Sequence, residues 1–177
     1  MISILKRSNL VMKMLLIIER RQRKQIMDIM IENMPAYRIA YIRQIGPYGM
    51  DNVKTMEELK RWAKLNNLLN DESIILGIAQ DNPATTKPEN CRYDTCIVVS
   101  NDGSAASGAV TEGNIVGGKY AVFKIQHTAE AVQKAWIDIF PELLRLGYQV
   151  DEARPIIERY LARMVNHHYC EICVPVY

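Results

Sequence analysis

The chain has 177 residues, 49% hydrophobic and 24% charged, enough for one domain with a sizeable core or two small halves sharing one, and a composition that excludes a wholly disordered or collagenous protein. Its net charge of +2 is unevenly placed: residues 1–34 carry Lys6, Arg7, Lys13, Arg20, Arg21, Arg23 and Lys24 against Glu19, Asp28 and Glu32, so this segment is basic and the remainder slightly acidic. Cys91, Cys96, Cys170 and Cys173 come without a secretory signal, and the apolar stretch 10–18 is too short to cross a bilayer, so a reduced, cytoplasmic protein is expected with no membrane partner.

Residues 4–34 contain no Gly or Pro and are rich in Leu, Met, Ile, Lys, Arg and Gln, which predicts a basic helix or linker over 1–34, ended by Pro35 and set apart from a domain over 35–177. Tyr37–Ile42 reads as a strand closed by Gly46-Pro47-Tyr48-Gly49. Asp51 is placed to cap a helix whose apolar residues Val53, Met56, Leu59, Trp62 and Ala63 recur at helical spacing, with Asn66-Asn67 at its end. Strands are predicted at 73–79 and 93–99. The order then repeats after a Ser/Gly-rich loop over 101–118: a strand at 120–125, a helix capped by Thr128 and stopped by Gly147, and strands at 155–161 and 169–176. Pro141, inside that second helix, is expected to kink or break it. The pattern predicts an α+β fold: strand, helix, strand, strand, twice, forming an antiparallel sheet with two helices on one face.

Three motifs invite chemistry. Gly113–Lys119 fits the first seven positions of a phosphate-binding loop, but Tyr120 stands where a Ser or Thr should hold magnesium, and a strand follows where a helix should begin. The run His167-His168-Tyr169-Cys170-Glu171-Ile172-Cys173 resembles a metal site, yet residues three apart on a strand face opposite ways, so structural cysteines are expected, with no metal and no cofactor. The basic N-terminal segment offers phosphate contacts but one helix is not a helix-turn-helix unit, which limits the expectation to weak, nonspecific nucleic-acid binding.

The residue that breaks pattern is Glu158. In Pro155-Ile156-Ile157-Glu158-Arg159-Tyr160, alternation puts Ile156, Glu158 and Tyr160 on one face and Ile157, Arg159 and Leu161 on the other, so one of these two faces must hold a charge. Glu158 either pairs with an arginine at a wet sheet edge or stands in a cavity where a carboxylate beside aromatic rings selects a cationic or hydrogen-bonding ligand.

Five pieces, "MPAYRIAYIRQIGPYG", "CRYDTCIVV", "GGKYAVFKIQHTAEAVQKAWIDIFPEL", "RPIIERY" and "YCEICVPVY", together resemble in order and spacing the gyrase-inhibitor-like (GyrI-like) effector-binding domain found on many AraC-type transcription activators. The resemblance implies a duplicated strand-helix-strand-strand (SHS2) fold with a groove between two helices for small, hydrophobic or cationic molecules. It implies ligand-binding roles for Glu158, Trp136 and Tyr160, with Tyr48, Tyr93 and Glu171 as further candidates. The expected function is a small-molecule sensor module that lacks its own complete DNA-binding domain and works with a separate DNA-binding domain or protein. Alternatives implied by relatives are a hydrolase of reactive cyclopropane-type compounds, with Glu158 catalytic, and an antagonist of gyrase or toxins.

Overall fold

A computed structural model describes residues 29–100 and 106–177. Eight strands form one sheet: β1 (Ile29–Met34), β2 (Tyr37–Ile45), β3 (Ile74–Ala79), β4 (Arg92–Val98), β5 (Thr111–Ile115), β6 (Gly118–Gln126), β7 (Ile157–Leu161) and β8 (Tyr169–Pro175). Among the described residues three α-helices accompany them: α1 (Met50–Leu65), α2 (Ala129–Arg145) and the one-turn α3 (Ala162–Val165). The spatial order is β1-β6-β8-β7-β3-β4-β2-β5, and every pairing is antiparallel. The chain order β2-α1-β3-β4 is followed by β6-α2-β7-β8, and their sheet positions mirror each other about the β3–β7 seam.

Both long helices lie on the same face of the sheet. Through registered pairs, Ala40 faces Ile97, Ile97 faces Ile75, Ile75 faces Tyr160, and Gly77 faces Glu158, which faces Ile172 and then Phe123. At one end of this row Ala40, Ile42 and Ile97 pack with Leu59 and Ala63 of α1. At the other, Ala121, Phe123, Ile172 and Val174 pack with Ala135, Ile139 and Leu143 of α2. The helices thus stand over opposite wings, leaving a trough above the central strands.

On the other face, Ile39, Leu76, Ile78, Cys96, Tyr120, Val122, Ile157 and Cys173 form a buried cluster together with Met34 and Ile115 from the outermost strands, with no helical side chain among the described residues of the cluster. It is shielded because the sheet curls until its ends touch. At Gly117, a side chain would meet the Met34 carbonyl oxygen at 2.5 Å and the Ala36 nitrogen at 2.6 Å, so the β5–β6 connection passes directly against the β1–β2 connection. Inside this curl Arg159 is 5% exposed and bonds Glu171 (2.7 Å) and both carboxylate oxygens of Glu32 (2.9 and 2.7 Å). A guanidinium is satisfied there because its planar fork meets two carboxylates at once.

Several expectations are corrected. Residues 29–34 form a strand, not the end of a helix; pairing with β6 and burial of Met34 outweigh their helix propensity. They are part of the sheet, while residues 4–28 of the expected helix lie outside the described residues. The 101–118 loop contains β5, whose Thr-Glu-Gly-Asn sequence carries no apolar alternation to announce a strand. Helix α1 is capped by Gly49 rather than Asp51, which sits in the first turn and binds Lys54. Thr128 does cap α2, accepting from the Ala131 amide. The helix continues through Pro141; proline and the preceding-turn residue Ile137 are both on the solvent side, where water can satisfy the carbonyl that lost its donor. Strand β7 begins at Ile157, two residues beyond Pro155, and α3 follows it unannounced by any cap.

Candidate functional site

Glu158 points into the trough between α1 and α2. The cavity there measures about 1010 Å³ and is lined by side chains from α1, β3, β4, β7 and α2. Its carboxylate is held by three neutral donors. The Trp136 indole N–H donates to Oε1 at 3.0 Å, and the hydroxyls of Tyr93 and Tyr160 donate to Oε2 at 2.9 and 3.1 Å. Among the described residues no lysine or arginine forms an ion pair with Glu158. The charge is therefore stabilised by dipoles and left without a counter-cation. Burial, followed by the adjacent Glu158 charge, pushes the phenols of Tyr93 and Tyr160 far above the ordinary tyrosine range, which fixes both as donors.

The reach of Tyr93 depends on a gap. Tyr93 lies on β4 and Glu158 on β7, with β3 between them, so the two strands are separated by about 9–10 Å. The Tyr93 ring crosses over Gly77 of β3. A Cβ added to Gly77 would lie 2.0 Å from the Tyr93 hydroxyl oxygen and 3.1 Å from Glu158 Oε2. Only glycine leaves the floor open for this bond. Trp136 arrives from above because α2 buries Ala135, Ile139 and Leu143, which turns the adjacent position toward the trough.

Of the expected site residues, the structure brings Glu158, Trp136, Tyr160, Tyr48 and Tyr93 to one cavity. Tyr48 is anchored at the rim. Its hydroxyl lies 2.8 Å from the Asp81 carbonyl oxygen and accepts from the Asp81 amide, while its ring meets Tyr93 edge-on at 6.0 Å. Glu171 is not brought there. Its register with Arg159 and Lys124 places it on the opposite face, 6% exposed and bonded to Arg159, so we remove it from the candidate ligand set. Cys170 and Cys173 take opposite faces as alternation requires, one in each core cluster.

Four contributors, Gly77, Met56, Lys60 and His127, lie outside the expected set. Gly77 sat visibly inside a strand-like run, a signal of close approach that sequence reasoning can use. Met56 and Lys60 look inward from α1, and His127 joins the wall from the β6–α2 junction. The His127 ring leans on Tyr160 with centroids 5.3 Å apart. His127 stays exposed on its outer side, and partial desolvation, Lys60 and His168 hold its imidazole below the ordinary histidine range. Nothing local marks His127, which becomes part of the wall only through the packing of three distant segments.

A curled antiparallel sheet, two helices across one face and a carboxylate in the trough between them define a small-molecule-binding α+β domain. The chain belongs to the GyrI-like family: the model of the GyrI-like small molecule binding domain matches residues 27–177. YosT of Bacillus subtilis (strain 168), whose name places it in the SPbeta prophage and among transcriptional regulators, is 44% identical over 151 residues, covering 85% of this chain and 99% of that protein. The crystal structure of the EcmrR C-terminal domain shares the fold with a TM-score of 0.68 at 16% identity, covering 86% of this chain and 99% of that one. SAV2435, whose structure was determined bound to tetraphenylphosphonium, also shares it, with a TM-score of 0.52 at 15% identity over 85% of this chain and 94% of that one. Among the described residues no helix is long and apolar enough to cross a membrane.

Proposed function

We propose that this domain is an effector-binding module of a transcription-regulator type, and that its effector is a hydrophobic organic cation received in the trough. The observation that carries the reading is the carboxylate of Glu158 at the back of a largely apolar cavity, held by three neutral donors and with no cationic partner among the described residues. Such a carboxylate gains most from a ligand that brings positive charge with it, and flat rings at Trp136, Tyr93 and Tyr160 favour aromatic or alkylated cations over hydrated ones. Tetraphenylphosphonium, bound by SAV2435, has this chemistry.

The mirrored strand order supports reading the two halves as copies of one strand-helix-strand-strand (SHS2) unit, with the trough at their junction. The name of YosT, a transcriptional regulator, and the likeness to the C-terminal domain of EcmrR, a protein determined in complex with DNA, support a role as the sensing part of a system whose DNA-binding part is a separate domain or protein. The four unpaired thiols support a cytoplasmic setting.

The test uses the protein's own reporter. With Trp62 replaced by Phe, Trp136 is the sole indole, and its fluorescence should respond to titration with tetraphenylphosphonium. Glu158→Gln keeps the side-chain shape and removes the charge, so affinity should fall by about 1.5–3 kcal/mol, the size of a charged hydrogen bond. Equal binding by both forms would remove Glu158 from recognition. Turnover of a neutral substrate that disappears in Glu158→Gln while binding persists would favour hydrolysis instead.

A further inference from the structure

We infer that His127 is a specificity-determining residue of the trough: its neutral ring admits a monocation beside Glu158, and its protonated ring repels one. The inference rests on the cation-binding reading above and adds a charge gate to it.

Every element around His127 contributes to the argument. From β7, Tyr160 meets its ring at a tilt, with centroids 5.3 Å apart, and donates to the same Glu158 that would hold the ligand, so the imidazole stands one ring away from the ligand's charge partner. From α1, Lys60 and Glu57 line the same cavity and are bonded to each other at 3.1 Å. The turn before β8 supplies His168, whose carbonyl accepts the His127 amide at 2.9 Å. From α2, the N-cap Thr128 is the next residue, which sets His127 at the positive end of a 17-residue helix. Among the described residues, Glu158, Glu57 and Asp71 give the lining three carboxylates against the ammonium of Lys60. With His127 neutral, the cavity attracts cations. A proton on His127 offsets one of those charges next to the ring that contacts Glu158.

Lys60, His168 and the helix end all oppose that proton, so the gate stays open at neutral pH and closes on acidification. A proton and a cationic ligand then compete for one electrostatic field, and each weakens the other by the same factor. A neutral ligand of the same shape is indifferent to the change. The ring therefore adjusts which ligands are preferred without touching the bond to Glu158.

Tetraphenylphosphonium is a suitable probe because it carries a permanent charge and has no proton to lose. Its dissociation constant should be measured for the full chain between about pH 7.5 and about pH 5, for wild type, His127→Phe and Lys60→Gln. Wild type should bind about three- to tenfold more weakly at the acid end. His127→Phe retains a ring against Tyr160 and should lose most of this dependence, and His127→Asn serves the same purpose if the phenylalanine form is unstable. Lys60→Gln removes a neighbouring cation and should move the midpoint of the loss toward neutral pH. Binding that is flat in wild type, or that falls in parallel in wild type and both His127 variants, overturns the gate while leaving the cation site standing. Absence of binding by wild type at every pH overturns the cation reading and the gate with it.

Discussion

Replacing Gly77 by Ala should damage the trough from beneath. The backbone there is not in the left-handed region, so the cost is steric rather than conformational. The new methyl carbon would lie 2.0 Å from the Tyr93 hydroxyl oxygen and 3.0 Å from its Cζ, and the 8%-exposed ring has little room to withdraw. Overpacking of this kind costs about 1–3 kcal/mol. At about 2–4 °C per kcal/mol for a domain of this size, the melting temperature should drop by roughly 2–12 °C. Tyr93 should also lose its bond to Glu158, so affinity for tetraphenylphosphonium should change together with stability. The decisive measurement is a double-mutant cycle. Tyr93→Phe removes the atom in the closest contact, and the double variant should be more stable than the two single effects predict when added. Strict additivity, or a Gly77→Ala protein that melts and binds like wild type, would refute the account of the floor.

Other consequences can be checked independently. Arg159→Met strands Glu171 in the interior and should cost about 3–5 kcal/mol in urea denaturation, with Glu171→Gln in the same chain restoring part of the loss. The hydrogen bond to Arg159 holds the Glu32 carboxyl below its ordinary value of 4.5, so its contribution to stability is complete above that value and is lost as pH falls through the lower folded-state value; Glu32→Gln should flatten this part of an acid-melting profile. Burial pushes the thiols of Cys170 and Cys173 up to about 12, so both should resist alkylation in the native protein near pH 8 and react once it is denatured. Because these two thiols face opposite sides of the sheet, a chelator should leave the melting temperature unchanged.

Much of the fold was legible wherever one residue type settles a local choice. Thr128 and Gly147 bracket α2, Asn66-Asn67 end α1, and alternation along Ile156–Leu161 assigns Glu158 and Arg159 to opposite faces before any pairing is known. The misreadings came from residues whose fate depends on distant partners. Residues 29–34 are strand because β6 offers them an edge and Arg159 offers Glu32 a partner 127 positions away. Glu171 reads like a pocket acid until its register with Arg159 is fixed. The residues that gather at the cavity, Glu158, Trp136 and the tyrosines, were expected from the sequence, whereas its geometry was not, since Gly77 and His127 are placed by what passes over them or leans on them.

Opposite charges on consecutive residues make β7 intolerant of misalignment. Sliding it by one position against β3 and β8 would turn Arg159 outward to the trough and drive Glu158 into the curl beside Glu171 and Glu32, gathering three carboxylates where water is scarce. Each buried, unpaired ion would cost several kcal/mol, far more than a hairpin gains from a shifted ladder of equal length. The central seam therefore zips in one alignment. The Glu-Arg dipeptide that places a carboxylate in the trough and a guanidinium in the curl also proofreads the assembly of the sheet, so substitutions that neutralise either residue should raise the population of slipped and aggregation-prone chains during refolding, even where the final fold survives.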